Sequence, residues 1–499
     1  MTKEATPDRT ETAHATAFAA LSGNLPTGCY IGGEWRSSSD GSLIAVADPS
    51  TGETLTSVAN GTLADATLAA DAASAAMPAW SNTPPRARGE VLRRAFEIMT
   101  ERHEELAQLV VLENGKALAD ARGEITYAAE FFRWYAEEAV RNTGEISTAP
   151  SGAYRILVLR QPIGVAALVT PWNFPAAMLT RKIGPALAAG CAVVCKPASE
   201  TPLTALAIAQ VLEQAGTPGG VVNVVPSNRS SKFVATLLAD PRVRKLSFTG
   251  STEVGQELLR TAAANVVSCS MELGGNAPFL VFDDADLDAA VAGAMLAKMR
   301  NAGEACTSAN RFYVQRGVVD DFSERLADEM SRLEMGPGLG EGVQLGPLVN
   351  SSSREKVAEL VSGALAEGAK AIVGGEVPDG PGWFYPATVL TGVGPSAEIL
   401  GTEIFGPVAP IVTFDTEAEV IDLSNDSVHG LVSYLYTGDL GRGLRVSEAL
   451  DSGMVGLNRG LVSDPAAPFG GTKQSGLGRE GGHEGMLEYL ESKYIACDW

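Results

Sequence analysis

The amino-acid sequence predicts an α/β fold, with two α/β domains on largely parallel sheets and a small β arm outside both. Three observations carry this expectation. Short β-rich runs alternate with helical stretches between residues 163 and 273; a second region alternates in the same way after Cys306; and two strongly alternating segments, 153–162 and 488–499, belong to neither.

Taken in chain order, the start "MTKEATPDRTETAHATAF" is polar and acidic with no apolar core. It fits neither a secretory signal nor an acid-poor transit peptide, and residues 1–25 are expected to be a loose, disordered tail. Residues 26–144 and 164–273 are assigned to the first domain, 274–483 to the second, and 145–163 with 484–499 to the arm. Within the first domain, "IGVAALVT" (163–170), "CAVVCKP" (191–197), "VVNVVP" (221–226), "KLSFTG" (245–250) and "SCSMEL" (268–273) read as strands. "TPLTALAIAQVLEQAG" (201–216) and "STEVGQELLRTAAAN" (251–265) read as helices between them. Strands alternating with helices mean βαβ units and a parallel sheet, whose ligands sit at the carboxyl ends of the strands. That is a nucleotide-binding layout.

No GxGxxG follows any of these strands. Instead "FTGSTEVG" sets Gly250 and Ser251 where a strand ends and a helix begins, so free backbone N–H groups there can meet a phosphate. The plainer reading of such a turn is that it needs the backbone freedom of glycine. The second domain draws its strands from "RFYVQRGV", "GAKAIVGG", "APIVTF" and "GLVSYLYTG". The arm strands lie outside both sheets, and bare edges invite pairing, so they are expected to pair with each other and with another subunit.

Composition narrows the partners. At 499 residues and a formal charge of −22, the chain is poorly suited to nucleic acid, where clustered Lys and Arg drive phosphate binding. No apolar run approaches the roughly 18 residues of a membrane span. The six cysteines form no CxxC pair and show no metal-ligand spacing with histidine, which reads as reduced thiols in a cytoplasmic protein without a metal site. Small molecules are the expected partners.

Chemistry concentrates in "NAGEACTSANRF" (301–312). A thiol with an ordinary pKa near ~8.5 is mostly protonated at neutral pH, so a nucleophilic Cys306 needs an activator. None of the four histidines lies near it in the chain. Without further context Cys306 is read as an inert core residue, Glu272 as an ion-pair partner and Asn173 as a turn former.

The motifs "TPWNFP" (170–175), "KPAS" (196–199), "FTGSTEVG" (248–255), "MELGGNAP" (271–278), "NAGEACT" (301–307), "TEIFGPV" (402–408) and "PFGGTKQSGLGRE" (468–480) change that context. From about residue 30 to its end the chain resembles the aldehyde dehydrogenase superfamily, with these motifs in family order. The resemblance implies a Rossmann-type cofactor domain, an α/β catalytic domain and a β oligomerisation arm, assembled as a homodimer or homotetramer. Within the superfamily, "RKIGPALAAGCAVVCKPASETPLTALA", "GPLVN", "GMVGLNRGLVS" and "ESKY" resemble the succinate-semialdehyde branch.

What the resemblance implies answers the question of activation. Cys306 matches the catalytic cysteine, whose sulfur adds to an aldehyde to give a thiohemiacetal; hydride loss to the nicotinamide then leaves a thioester. Glu272 matches the general base and Asn173 the oxyanion donor, worth roughly 3 to 4 kcal/mol by analogy with other oxyanion holes. Glu304 replaces the usual glutamine, and turned inward it would raise the Cys306 pKa.

Lys196 is expected at the adenosine ribose, Gly250, Ser251 and Trp172 at the pyrophosphate, and Glu403 and Phe405 at the nicotinamide ribose and ring. Ser199 stands where NAD-preferring relatives often carry glutamate, which favours NADP, with NAD as the alternative. Arg181, Arg311 and Ser463 match residues that bind a distal carboxylate, for which paired guanidinium forks are suited. The expected substrate is succinate semialdehyde; glutarate semialdehyde or another aldehyde is the alternative, and a cysteine thioesterase, acyltransferase or idle homologue fits less of the pattern.

Overall fold

The computed structural model describes residues 9–498. Its first sheet is ordered Glu34–Arg36, Cys29–Ile31, Val222–Val224, Val193–Lys196, Val165–Val169, Val243–Thr249, Ser268–Glu272, Gly476–Leu477. The inner five strands are parallel and the outer pairings antiparallel. Helices cover both faces, which is why Val165–Val169 and Val193–Lys196 are buried at every position and read as continuous apolar runs. Starting from Val165–Val169, the chain adds strands first on one side and then on the other. The order reverses between Val165–Val169 and Val243–Thr249, and a doubly wound sheet binds its ligand at the carboxyl ends of the strands flanking that point.

The second sheet runs Lys370–Val373, Thr388–Thr391, Val408–Phe414, Ala309–Gln315, Ala277–Val281, Val432–Tyr436, Met454–Leu457, parallel except for its first pairing. The chain passes from one sheet to the other through Leu273–Gly274–Gly275–Asn276, directly after Glu272. The amino ends of Ala277–Val281 and Ala309–Gln315 therefore face the carboxyl ends of the first sheet. A Cβ on Gly275 would lie 2.2 Å from the Cys306 carbonyl oxygen, so the contact between these two strand entries requires glycine.

The arm is a three-stranded antiparallel sheet. Leu490–Cys497 pairs with Arg155–Pro162 from Leu490↔Pro162 to Cys497↔Arg155, and Glu145–Thr148 forms the far edge. The two alternating segments thus pair with each other, as expected.

The loose tail expected over 1–25 is corrected in part: Arg9–Ser22 is a helix, while residues 1–8 lie outside the described residues. The cause is tertiary. His14 is buried with Nδ1 2.8 Å from Asp48 Oδ2, the Leu339 N–H donates to its Nε2 at 3.3 Å, and Phe18 and Leu21 pack on the first domain's core. No helix among the described residues is long and apolar enough to cross a membrane.

Candidate active site

Between the sheets lies a cleft of about 1040 Å³, counting its open mouth, with Cys306 in its wall. The strand ends at the reversal point supply Trp172 and Asn173 on one side and Thr249, Gly250 and Ser251 on the other. Ser251 caps the helix Thr252–Ala263, its hydroxyl accepting from the Val254 N–H. The buried Thr249 hydroxyl has no hydrogen-bond partner among the described residues. A helix N-terminus beside an unpartnered hydroxyl suits a phosphorylated ligand.

Opposite stand Glu403 and Phe405. The Phe405 ring meets Trp172 edge-on at 5.4 Å, and its backbone is left-handed at φ 59°, a strained conformation for an aromatic residue. Glu403 accepts from the Gly275 N–H at 3.1 Å, and burial pushes its carboxyl up to about 7. Lys196 and Ser199 lie outside the cleft lining, at the carboxyl end of the adjacent strand. Lys196 is buried and donates to the Pro197 carbonyl at 3.0 Å; burial lowers its pKa to about 8, against the pull of Glu200.

Cys306 is only partly exposed, and burial pushes its thiol up to about 12. Arg181 and Arg300 pull the other way, while Glu403 and Glu272 add to the rise. The thiol is therefore protonated at neutral pH in the free protein. Glu304, conditionally expected to raise this pKa, turns away: its Oε1 accepts from the Val349 N–H at 3.1 Å. Asn173 has an amide orientation fixed at both ends, Nδ2 donating to the Glu304 carbonyl at 3.0 Å and Oδ1 accepting from the Phe174 N–H at 3.1 Å. Its second N–H is left for the cleft.

Glu272 ends its strand just behind the wall. Neither of its oxygens has a hydrogen-bond partner among the described residues. Burial lifts its carboxyl well above the usual range and nearby Glu480 adds to this, against Arg181, Lys182 and Arg479. Burial would also raise Glu480, but Lys182, 2.5 Å away, and Arg181, 2.6 Å away, outweigh it and keep Glu480 ionised. Arg181 meets Glu480 at ion-pair distance, although its Nε–H is poorly aligned for a hydrogen bond. The guanidinium also stacks on Phe469 at 4.2 Å and lines the cleft near Ser463.

One predicted ligand is misplaced. Arg311 does not line the cleft: it donates to the carbonyls of Asn276, Leu423 and Ser424, each at 3.0 Å. Two of these are end carbonyls of the helix Glu417–Asn425, which intrahelical bonds leave unsatisfied, so Arg311 caps that helix. The second arginine in the cleft is Arg300, stacked on Phe174 at 4.8 Å just before the turn that leads to Cys306. The sequence held a signal for it: an arginine immediately after a helical stretch and ahead of the cysteine turn.

A family model described as "Aldehyde dehydrogenase family" matches residues 35–495. The chain belongs to this family. A succinate-semialdehyde dehydrogenase of Paenarthrobacter nicotinovorans is 54% identical over 88% of this chain and 98% of its own length. A glutarate-semialdehyde dehydrogenase of Pseudomonas putida is 49% identical over 93% and 96%. The crystal structure of an E. coli NADP dependent enzyme superposes with a TM-score of 0.94 at 47% identity, covering 96% of this chain and 99% of that one. As an aldehyde dehydrogenase, the chain acts on small aldehydes with a nicotinamide cofactor.

Proposed function

We propose that this aldehyde dehydrogenase oxidises a short aldehyde bearing a terminal carboxylate, succinate semialdehyde foremost, with NADP preferred and NAD accepted. The observation that carries the substrate class is the convergence of Arg181, Arg300 and Ser463 on the cleft that holds Cys306. Two guanidinium groups are a strong attractor for a carboxylate and give an uncharged chain end nothing comparable.

In this reading Glu272 accepts the Cys306 proton, directly or through water, and the thiolate adds to the carbonyl carbon. The alkoxide that forms takes hydrogen bonds from the Asn173 amide and the Cys306 N–H. A nicotinamide held by Glu403 and Phe405 would supply the hydride acceptor. A thioester on Cys306 remains; Glu272, having released the thiol proton to solvent, deprotonates the water that cleaves it and returns that proton to the departing sulfur, so the acid leaves and the thiol is restored.

Gly250, Ser251 and Trp172, with Thr249, suit the pyrophosphate, Glu403 and Phe405 the nicotinamide end, and Lys196 with Ser199 the adenosine end. Ser199 brings no carboxylate against a 2′-phosphate, which supports NADP. The domain reading follows: 26–144 and 164–273 bind cofactor, 274–483 carries the cysteine, and 145–163 with 484–499 joins subunits into a dimer or tetramer. Six free cysteines fit a cytoplasmic setting.

The test is reduced-cofactor formation with succinate semialdehyde, glutarate semialdehyde and an uncharged aldehyde of similar length. Glutarate semialdehyde should rank close behind, since one methylene is worth about 1 to 3 kcal/mol. Arg181→Ala and Arg300→Ala should each raise KM for the acid-bearing substrates by about one to two decades, taking roughly 1.5 to 3 kcal/mol per charge-assisted contact, and raise KM for the uncharged one much less. Arg311→Ala should lower the melting temperature and leave the substrate ranking unchanged. Equal losses on all substrates for Arg181 and Arg300 would defeat the clamp.

A further inference from the structure

The Asn173 side chain can serve an oxyanion only if its backbone is held in register with Cys306, which arrives from the other sheet. The Asn173 carbonyl accepts two buried hydrogen bonds, from Lys116 Nζ at 2.7 Å and from Asn301 Nδ2 at 2.8 Å. The same Asn301 nitrogen donates to the Glu304 carbonyl at 3.0 Å, the atom on which the Asn173 amide also rests. One buried amide nitrogen thus joins the Asn173 peptide to the loop two residues ahead of Cys306.

Asn301 is held for this task. It is 1% exposed and left-handed at φ 53°, ψ 42°, a conformation asparagine tolerates better than most residues with a side chain. Its N–H donates to Asp120 Oδ2 at 2.9 Å. Lys116 is braced in turn by Glu124 at 2.6 Å, whose other oxygen accepts from the Ala176 and Ala177 N–H groups. That carboxylate anchors the start of the helix Ala177–Ala189, which carries Arg181.

We propose that Asn301 and Lys116 are positioning residues that set the Asn173 amide against Cys306, with Asn301 as the direct tie between the two sheets. This rests on the reading of Asn173 and Cys306 as the oxyanion pair. Neither residue touches substrate; both act through Asn173.

Asn301→Gly is the decisive variant, because glycine suits the left-handed backbone while removing the amide. Oxidation and ester hydrolysis both pass through the oxyanion, so kcat for each should fall by a similar factor of ~10 or more, approaching the ~10²–10³ of a lost oxyanion donor. KM and cofactor Kd should stay within about twofold, the pattern of an interaction made only in the transition state. Alkylation of Cys306 by iodoacetamide generates no oxyanion and should keep its wild-type rate. Asn173→Ala, run in parallel, should give the same signature.

Wild-type kcat in Asn301→Gly beside a crippled Asn173→Ala would overturn the tie and leave the oxyanion reading standing; full activity in Asn173→Ala would remove both. Slowed alkylation together with slowed turnover would mean that the cysteine loop itself had moved, which also overturns the proposal. Should Asn301→Gly fail to fold, Lys116→Met and Lys116→Arg carry the test. Methionine should lower kcat with KM and alkylation unchanged, and arginine should restore part of it; unchanged kcat in Lys116→Met counts against the proposal.

Discussion

Arg300 and Arg311 flank the same cysteine and have opposite environments. Arg311 spends its donors on three backbone carbonyls, whereas Arg300 keeps its guanidinium against an aromatic ring at the cleft wall. Sequence spacing could nominate an arginine near Cys306, but two of the three carbonyls that claim Arg311 come from a helix more than a hundred residues away. Charge state is settled by neighbours in the same way. Glu272 has a raised pKa chiefly from burial, so oxidation should gain rate as pH rises beyond the usual carboxylate range, and Glu272→Gln should flatten that rise. With Glu272→Gln, a surviving burst of reduced cofactor with slow turnover would assign the carboxylate mainly to deacylation; loss of the burst would assign it to the thiol. Cys306→Ala should abolish oxidation and ester hydrolysis alike, and retention of either would take the sulfur out of the reaction.

Glu304 allows a stability prediction of the same kind. Burial pushes its carboxyl up to about 8, against an unfolded value near ~4.3, so the folded protein holds a proton that the unfolded chain releases between those values. Its contribution to stability is complete below about pH 4.3 and is lost as pH rises toward about 8, with a limiting slope of about 1.4 kcal/mol per pH unit. Glutamine can still accept from the Val349 N–H, so Glu304→Gln should gain on wild type in melting temperature from about pH 5 to about pH 8. A gap that stays constant over this range would mean that Glu304 is ionised in the folded protein.

At the scale of elements, the strand Leu490–Cys497 is the clearest lever. It pairs along its whole length with Arg155–Pro162, and the edge strand Glu145–Thr148 beyond is exposed at every residue. Exposed apolar side chains on one face of this sheet, Ile146, Leu159 and Ile495, give it a surface suited to burial against another copy. Deleting residues 490–499 should lower both the assembly state by light scattering and the melting temperature, since assembly stabilises the folded chain by mass action. A wild-type monomer at working concentration would refute the proposed oligomer. These strands were legible because alternation is a local, two-residue period. The helix Arg9–Ser22 was not, because its stability comes from His14 and Phe18 meeting distant residues rather than from a pattern of its own.

For the whole molecule, the sequence by itself determined the alternation of strands and helices, the glycine turn at 250–251, and the candidate nucleophile, base and amide, because each is written in a short motif. It also identified Arg181 and Ser463, which the fold brings into the cleft with Cys306. Only the tertiary structure decided that Arg300 rather than Arg311 shares that cleft, that Glu304 turns away from the thiol, and that Asn301 and Lys116 hold the Asn173 peptide. The physical reason is one of range. Periodicity and capping act over a few residues, whereas the partner of a buried charge or amide is fixed by which strand ends the packing of two sheets brings face to face, and by the burial that raises the cost of leaving such a group alone.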